Sequence, residues 1–306
     1  MEQDVKFPKK VRIREVSPRD GLQAEPKVLP TSIKLELIKG LLDAGAAHIE
    51  VASFVSPKWL PQMADAEEIL RNLPRHSDVT YSVLVPNIMG LERALALSPQ
   101  EITVFVSATE THNMKNLNRP IASTLQEIKL IAGRAYSENI KVSAVIVVAF
   151  GCPYEGGVSW ESLQRLIEYF GSVGIEQITL GDTIGVANPR QVYRVVRNII
   201  GEYPWVNLGL HFHDTRGVAL SNALFALMAG ADYFDTALGG IGGSPFSPGA
   251  GGNLATEDLV YCLHAMDIDT GFDLSKLIAL GDRLQKWVGH ELPSRVHKSF
   301  SGSFIN

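Results

Sequence analysis

Thiols are scarce in this chain. Only two cysteines, Cys152 and Cys262, occur in 306 residues. That is too few for a disulfide framework and fits a reducing compartment, so a cytoplasmic location is expected. Long apolar runs are missing as well. The longest, "VSAVIVVAF" at 142–150, falls far short of the ~20 residues that cross a bilayer, and no membrane partner is expected. The opening "MEQDVKFPKK" holds no apolar core of the signal-peptide kind. Positive charge is not in excess either. Lys and Arg number 28 against 33 acidic residues, for a formal net charge of −5, which argues against a nucleic-acid partner. The densest basic stretch, "KKVRIR" at 9–14, reads as a frayed start rather than a targeting arm. Two glycine signatures are also absent. "SPRDGLQ" follows the first strand-like run where a doubly wound dinucleotide fold would place a Gly-rich turn. No Lys-Ser/Thr follows the Gly-rich stretch at 239–253, which excludes a Walker loop.

What the chain does have is alternation. Eight short β-branched runs recur: 11–17, 48–54, 79–85, 101–108, 141–150, 177–183, 207–215 and 233–240. Helical periodicity lies between them, near 121–138, 159–173, 189–203 and 218–230, with further segments at 255–266 and 273–288. One helix is expected to start at Thr31, capped by Thr or Ser, and to close at Gly45. Crossover helices join parallel strands, so eight such units predict an α/β fold, a (β/α)₈ TIM barrel. A single domain over 1–306 is the expectation, with the barrel at about 11–270 and a short C-terminal helical extension at about 271–306.

In such barrels the reactive groups sit at the C-terminal ends of strands. The unusual polar residues fall there. Arg19 and Asp20 follow the first run, Glu50 lies inside the second and Ser53 at its end, and Asp182 ends the sixth. His211 and His213 end the seventh, and a loop with Ser244 and Asn253 follows the eighth. His211 and His213 differ by two, so both point into the barrel while Leu208, Leu210 and Phe212 face the helices. They could be core histidines satisfied by carbonyls. A shared cation is the more economical explanation, because two protonated imidazoles repel. Asp20 can add a carboxylate and Asn253 an amide oxygen. A mixed N/O set without thiolate favours Mg²⁺ or Mn²⁺, with Zn²⁺ the weaker candidate. Arg–Asp neighbours such as Arg19 and Asp20 are common on surfaces, but in a closed mouth an arginine can hold an oxyanion. Glu50, a carboxylate in an apolar strand, needs a partner, and Arg19 is the candidate; a structural ion pair is the plainer reading. The Gly-rich stretch could cradle a phosphate or act as a lid.

The motifs "SPRDGLQ", "EVASFVSPKWLPQMAD", "LGDTIGVANP", "GLHFHDTRG" and "GGIGGSPFSPGAGGNLATEDLVY" together resemble the 3-hydroxy-3-methylglutaryl-CoA lyase family, over about residues 11–270. The resemblance implies a carbon–carbon lyase that takes an acyl-CoA substrate to acetyl-CoA and acetoacetate by retro-Claisen chemistry. It also implies a homodimer, as is common among such lyases. Family metal ligands match Asp20, His211, His213 and Asn253. Catalytic or substrate-binding positions match Arg19, Glu50, Asp182, Gln23 and Ser53, and His211 or Asp182 would serve as the base near the metal. One position departs. The family's loop reads "GGxGGCP" and its cysteine takes part in proton transfer; here Ser244 stands there. A hydroxyl is a far weaker acid than a thiol. The departure leaves three readings open: cleavage of the usual substrate with water or another acid protonating the product, a related 3-hydroxyacyl-CoA such as a citramalyl-CoA or a longer branched homologue, or a weakly active CoA- and metal-binding homologue. A Claisen-type synthase is the alternative within the fold.

Overall fold

The computed structural model describes residues 6–74, 76–243 and 251–300. Ser244 lies outside the described residues. Eight parallel strands close into a barrel in sequence order. They are β1 (Arg12–Glu15), β2 (His48–Ser53), β3 (Thr80–Leu84), β4 (Glu101–Ser107), β5 (Lys141–Val147), β6 (Gln177–Asp182), β7 (Asn207–Phe212) and β8 (Tyr233–Thr236). Outside them run α1 (Thr31–Asp43), α2 (Ala66–Asn72), α3 (Ile88–Leu95), α4 (Glu110–Leu117), α5 (Ile121–Tyr136), α6 (Trp160–Ser172), α7 (Pro189–Glu202) and α8 (Ala219–Ala229). Beyond β8 come α9 (Thr256–His264), α10 (Leu274–Val288) and α11 (Arg295–Phe300). The expected TIM barrel and its C-terminal helices are therefore present.

The helices form for visible local reasons. Asn188 caps α7 by accepting from the Gln191 N–H, and Pro189 occupies the first turn, where its missing donor costs nothing. Val192, Val195, Val196 and Ile199 then form one buried stripe. Ser159 and Asp273 cap α6 and α10 in the same way. In β7 the alternation places Leu208, Leu210 and Phe212 in the buried layer between barrel and helices, as expected.

Several boundaries differ from expectation. α1 starts at Thr31, but its cap position is Pro30 and no side chain caps it. The Thr31 hydroxyl instead donates to Asp65 at 3.0 Å. β5 stops at Val147 because Val148 adopts φ +52°, a left-handed conformation that ends a strand. β8 stops at Thr236, and the chain turns through Gly239 and Gly240, at φ +70° and +72°. The short helices α2, α3 and α4 were not anticipated.

The barrel interior is polar rather than aliphatic. Arg14, Glu50, Thr103, Ser143 and Asp235 are all at most 3% exposed. Two buried carboxylates anchor the segments beside the mouth. Glu15 accepts from the Ser17 and Leu238 N–H groups at 2.9 and 3.0 Å. Glu257 accepts from the Gly239 N–H at 2.8 Å. Burial pushes the Glu257 carboxyl up to about 8.

Candidate metal centre and cavity

Directly after β1 the chain makes a single π-helical turn, Ser17–Gly21. One carbonyl, that of Val16, accepts from the N–H groups of Arg19, Asp20 and Gly21 at 3.1, 2.7 and 3.2 Å. Pro18 has no donor to contribute, which suits it to this tight first turn. Such bulges recur at functional sites. This one brings two adjacent side chains, Arg19 and Asp20, to the same mouth at 8% and 7% exposure.

Both partners of Arg19 are carboxylates. Its Nε donates to Glu50 Oε2 at 2.5 Å and Nη1 to Asp20 Oδ1 at 2.7 Å. The same Asp20 oxygen accepts from Gln23 Nε2 at 2.7 Å. The other, Oδ2, accepts from Asn253 Nδ2 at 2.8 Å. Burial works to raise the Asp20 pKa, but the charges of Arg19, His211 and His213 overcome it and hold the carboxyl below its ordinary value.

The ligating atoms of Asp20, His211 and His213 all lie within 4.8 Å of one another. The imidazoles face each other, Nε2 to Nε2, at 3.1 Å. The tautomers follow from the far side of each ring. His213 Nδ1 lies 3.0 Å from the Gly251 carbonyl, and His211 Nδ1 lies 3.3 Å from Asp235 Oδ2. Both oxygens only accept, so each Nδ1 carries a proton, and the two Nε2 atoms are left facing each other, placed to share either a proton or a cation. Burial first, then the neighbouring His211 charge, lowers His213 to about 4. His211 moves the other way: burial opposes the charged form, but the Asp235 hydrogen bond and the Asp20 charge raise its pKa.

Asn253 completes the cluster. Its Nδ2 donates to the Ile241 carbonyl at 3.0 Å as well as to Asp20, which fixes the direction of the amide. Its Oδ1 is buried and has no hydrogen-bond partner among the described residues. The amide fits only because residue 242 is glycine at φ +124°: a Cβ there would lie 2.3 Å from Asn253 Nδ2. A buried orphan acceptor beside a carboxylate and two imidazole lone pairs is the donor set a hard or borderline divalent cation requires.

Asp20, His211 and His213 line a cavity of about 500 Å³. Arg19 and Gln23 line it too, and exposed Trp59 stands at its rim. Three expected site residues sit back from the wall. Glu50 lies behind Arg19, fully buried, with Oε1 unpartnered among the described residues. The Ser53 hydroxyl accepts from the Val55 N–H at 3.3 Å and turns into its own loop. Asp182 accepts from the N–H groups of Val186 and Ala187 at 2.9 and 3.0 Å, while its neighbours Gly181 and Thr183 form the wall. Burial lifts Asp182 to about 6.

Sequence reasoning passed over three residues. Asp235 holds His211, and Arg14 holds Asp235 through Nε and Nη2 at 2.9 and 2.6 Å. A charge at an inward position of a strand, the signal that drew attention to Glu50, was present at both. His112 also lines the cavity, with Nδ1 2.8 Å from Ser107 Oγ.

The HMGL-like family model matches residues 10–284. The hydroxymethylglutaryl-CoA lyase of Bacillus subtilis is 45% identical over 297 residues, covering 97% of this chain and 99% of that protein. The human mitochondrial hydroxymethylglutaryl-CoA lyase is 42% identical over 290 residues, covering 95% and 89%. A solved structure of an HMG-CoA lyase from Acinetobacter baumannii, in complex with coenzyme A and 3-methylmalate, superposes with a TM-score of 0.93 at 40% identity, covering 100% of this chain and 99% of that one.

Proposed function

The chain belongs to the HMGL-like family, and from that premise we propose that it is a divalent-metal-dependent carbon–carbon lyase. In this reading it cleaves 3-hydroxy-3-methylglutaryl-CoA to acetyl-CoA and acetoacetate, and the whole chain forms one lyase domain. The observation that carries the metal dependence is the gathering of the Asp20, His211 and His213 ligating atoms within 4.8 Å of one another beside the orphaned Asn253 oxygen.

Asp20, His211, His213 and Asn253 are the residues that would hold the cation, with Mg²⁺ or Mn²⁺ preferred by this mixed N/O set without thiolate. Bound there, a divalent ion lowers the pKa of a coordinated hydroxyl and orients it. The protein supplies the rest. Arg19, immobilised between Glu50 and Asp20, presents a permanent positive charge to the thioester oxygen as electrons arrive on it after the C2–C3 bond breaks. Glu50 is assigned to hold Arg19. Gln23 fixes the Asp20 oxygen that faces away from Asn253. Asp235 fixes the tautomer of His211, so that its Nε2 lone pair points into the site, as a ligand or as the acceptor of the hydroxyl proton. Asp182 spends both oxygens on the turn after β6, and we assign it to holding that turn rather than to taking the proton. Ser53 is assigned a similar local role.

Among the described residues no helix is long and apolar enough to cross a membrane. Cys152 and Cys262 are free, which supports the cytoplasmic location as a proposal.

The test is acetyl-CoA release from 3-hydroxy-3-methylglutaryl-CoA in a coupled assay, with Mg²⁺ or Mn²⁺ and with chelator. Release that needs metal is expected. Metal-independent release would overturn the site, and absence of release would overturn the activity. Ser244 favours a second reading, a related 3-hydroxyacyl-CoA as substrate. A panel of such thioesters with products identified by mass separates the two.

A further inference from the structure

Asp235 lies at a register position where β8 meets a charged or ionisable partner on each side. It pairs with Arg14 across β1 and with His211 across β7. Arg14 is 1% exposed and Asp235 3%. A guanidinium taken this far from water needs partners for its donors, and each of its three nitrogens has one. Two prongs grip the two Asp235 oxygens at 2.9 and 2.6 Å, and Nη1 reaches across the barrel to Thr103 Oγ1 at 3.2 Å. The fork–fork contact leaves the carboxylate no freedom to rotate. The oxygen so fixed, Oδ2, is the one that meets His211 Nδ1. Both Asp235 oxygens accept from the guanidinium, so the carboxylate meets His211 as an acceptor.

We propose that Arg14 is a positioning residue for the metal centre: its two-pronged grip on Asp235 sets the tautomer and ring orientation of His211 from a place that touches neither cavity nor cation. A carboxylate behind a ligating histidine is worth roughly 10–100-fold in metal affinity. A carboxylate that can swing loses part of that. The proposal rests on the metal-centre reading above.

The experiment measures Mn²⁺ binding to the metal-stripped full chain by calorimetry, with thermal unfolding to verify folding. Asp235→Asn is expected to weaken binding about 10–100-fold, and Arg14→Met about 10-fold by freeing the same carboxylate. The double variant should bind no worse than Asp235→Asn alone, because Arg14 acts only through that carboxylate. Thr103→Val, which removes the third Arg14 contact and spares the grip, should bind as the parent does. Should Arg14→Met not fold, Arg14→Lys keeps the charge with one prong and is expected to show about a 3-fold loss, a fraction of the same effect. Parental or tighter Mn²⁺ binding in a folded Arg14 variant overturns the proposal, as does a double variant whose losses multiply. A parent chain that binds no Mn²⁺ refutes the metal reading instead. Ring ¹⁵N spectra then decide the Arg14 tie without metal. His211 protonated at Nδ1 in the parent, and losing that single tautomer in both Arg14→Met and Asp235→Asn, supports it; the same tautomer in parent and variants overturns it.

Discussion

Adding Mn²⁺ to the metal-free chain should raise its melting temperature, and the size of the rise follows from the site. The folded chain offers Asp20, His211, His213 and Asn253 already gathered, whereas the unfolded chain scatters them. At a free ion concentration about 100 times Kd, binding to the folded state alone adds about 2.7 kcal/mol. Unfolding entropy near ~2.1 cal/mol/K per residue, over 306 residues, converts this to a rise of about 4 °C. Asn253→Ala removes the orphan oxygen and the Asp20 contact; a tenfold weaker site at the same ion concentration keeps about 1.4 kcal/mol, or about 2 °C. His213→Ala, taken as a hundredfold loss, should keep less than about 1 °C. The assay is scanning fluorimetry with each variant compared with itself, with and without ion. A parent that gains under about 1 °C at saturating Mn²⁺, or variants that gain as much as the parent, would refute the reasoning.

Four further outcomes are expected. Arg19→Lys should lower kcat by about 10²-fold, since one ammonium cannot serve Glu50, Asp20 and an oxyanion together; steady-state kinetics within a few-fold of the parent would refute it. Asp182→Asn keeps one carbonyl acceptor of two and should cost about 1–3 kcal/mol, or about 2–5 °C in Tm, with kcat little changed. A large loss of kcat at constant Tm would make it the base after all. Glu257 has a folded pKa raised to about 8, so the folded state holds a proton that the unfolded chain releases near ~4.3. Its contribution is whole below that lower value and is lost as pH rises through about 8. Glu257→Gln should therefore flatten the fall in Tm across that window, and an unchanged slope would count against the assignment. Ser244→Cys should raise turnover of 3-hydroxy-3-methylglutaryl-CoA, because a thiol near ~8.5 exchanges a proton at neutral pH far more readily than a hydroxyl; equal or lower kcat refutes a proton-relay deficit.

Much of the barrel was legible because strand and helix periods alternate without interruption, and because β7 carries both its face pattern and its two histidines in one short run. The gathering of Asp20, His211 and His213 was legible for the same reason, since each falls at or just beyond a strand end, while Asn253 lies in the loop after β8. The support behind them was not. Arg14 and Asp235 meet only because closure sets β1 against β8 in one register, and no local pattern announces a register 221 residues apart. The π turn was hidden too, since "SPRDG" gives no cue that one carbonyl will serve three donors. Thr31 shows the reverse failure. Its type and position signal a cap, but a tertiary partner, Asp65, claims the hydroxyl. Asp182 and Ser53 stood at the right strand ends, yet strand position does not say whether a side chain faces the cavity or its own turn.

Five of the buried charged residues at this end of the barrel make one connected set through His211. Arg14 and Arg19 are positive; Asp20, Glu50 and Asp235 are formally negative, and each touches one of those arginines. The set therefore carries one uncompensated negative charge, in a place where burying it is costly. His211 bridges the two arginine-held groups, with Nδ1 3.3 Å from Asp235 Oδ2 and Nε2 3.8 Å from Asp20 Oδ2, and although burial opposes its charged form these carboxylates raise its pKa. On the metal reading proposed above, a divalent cation held by Asp20, His211, His213 and Asn253 would answer the excess negative charge, and the two arginines would keep their carboxylates oriented at the point where those four residues converge.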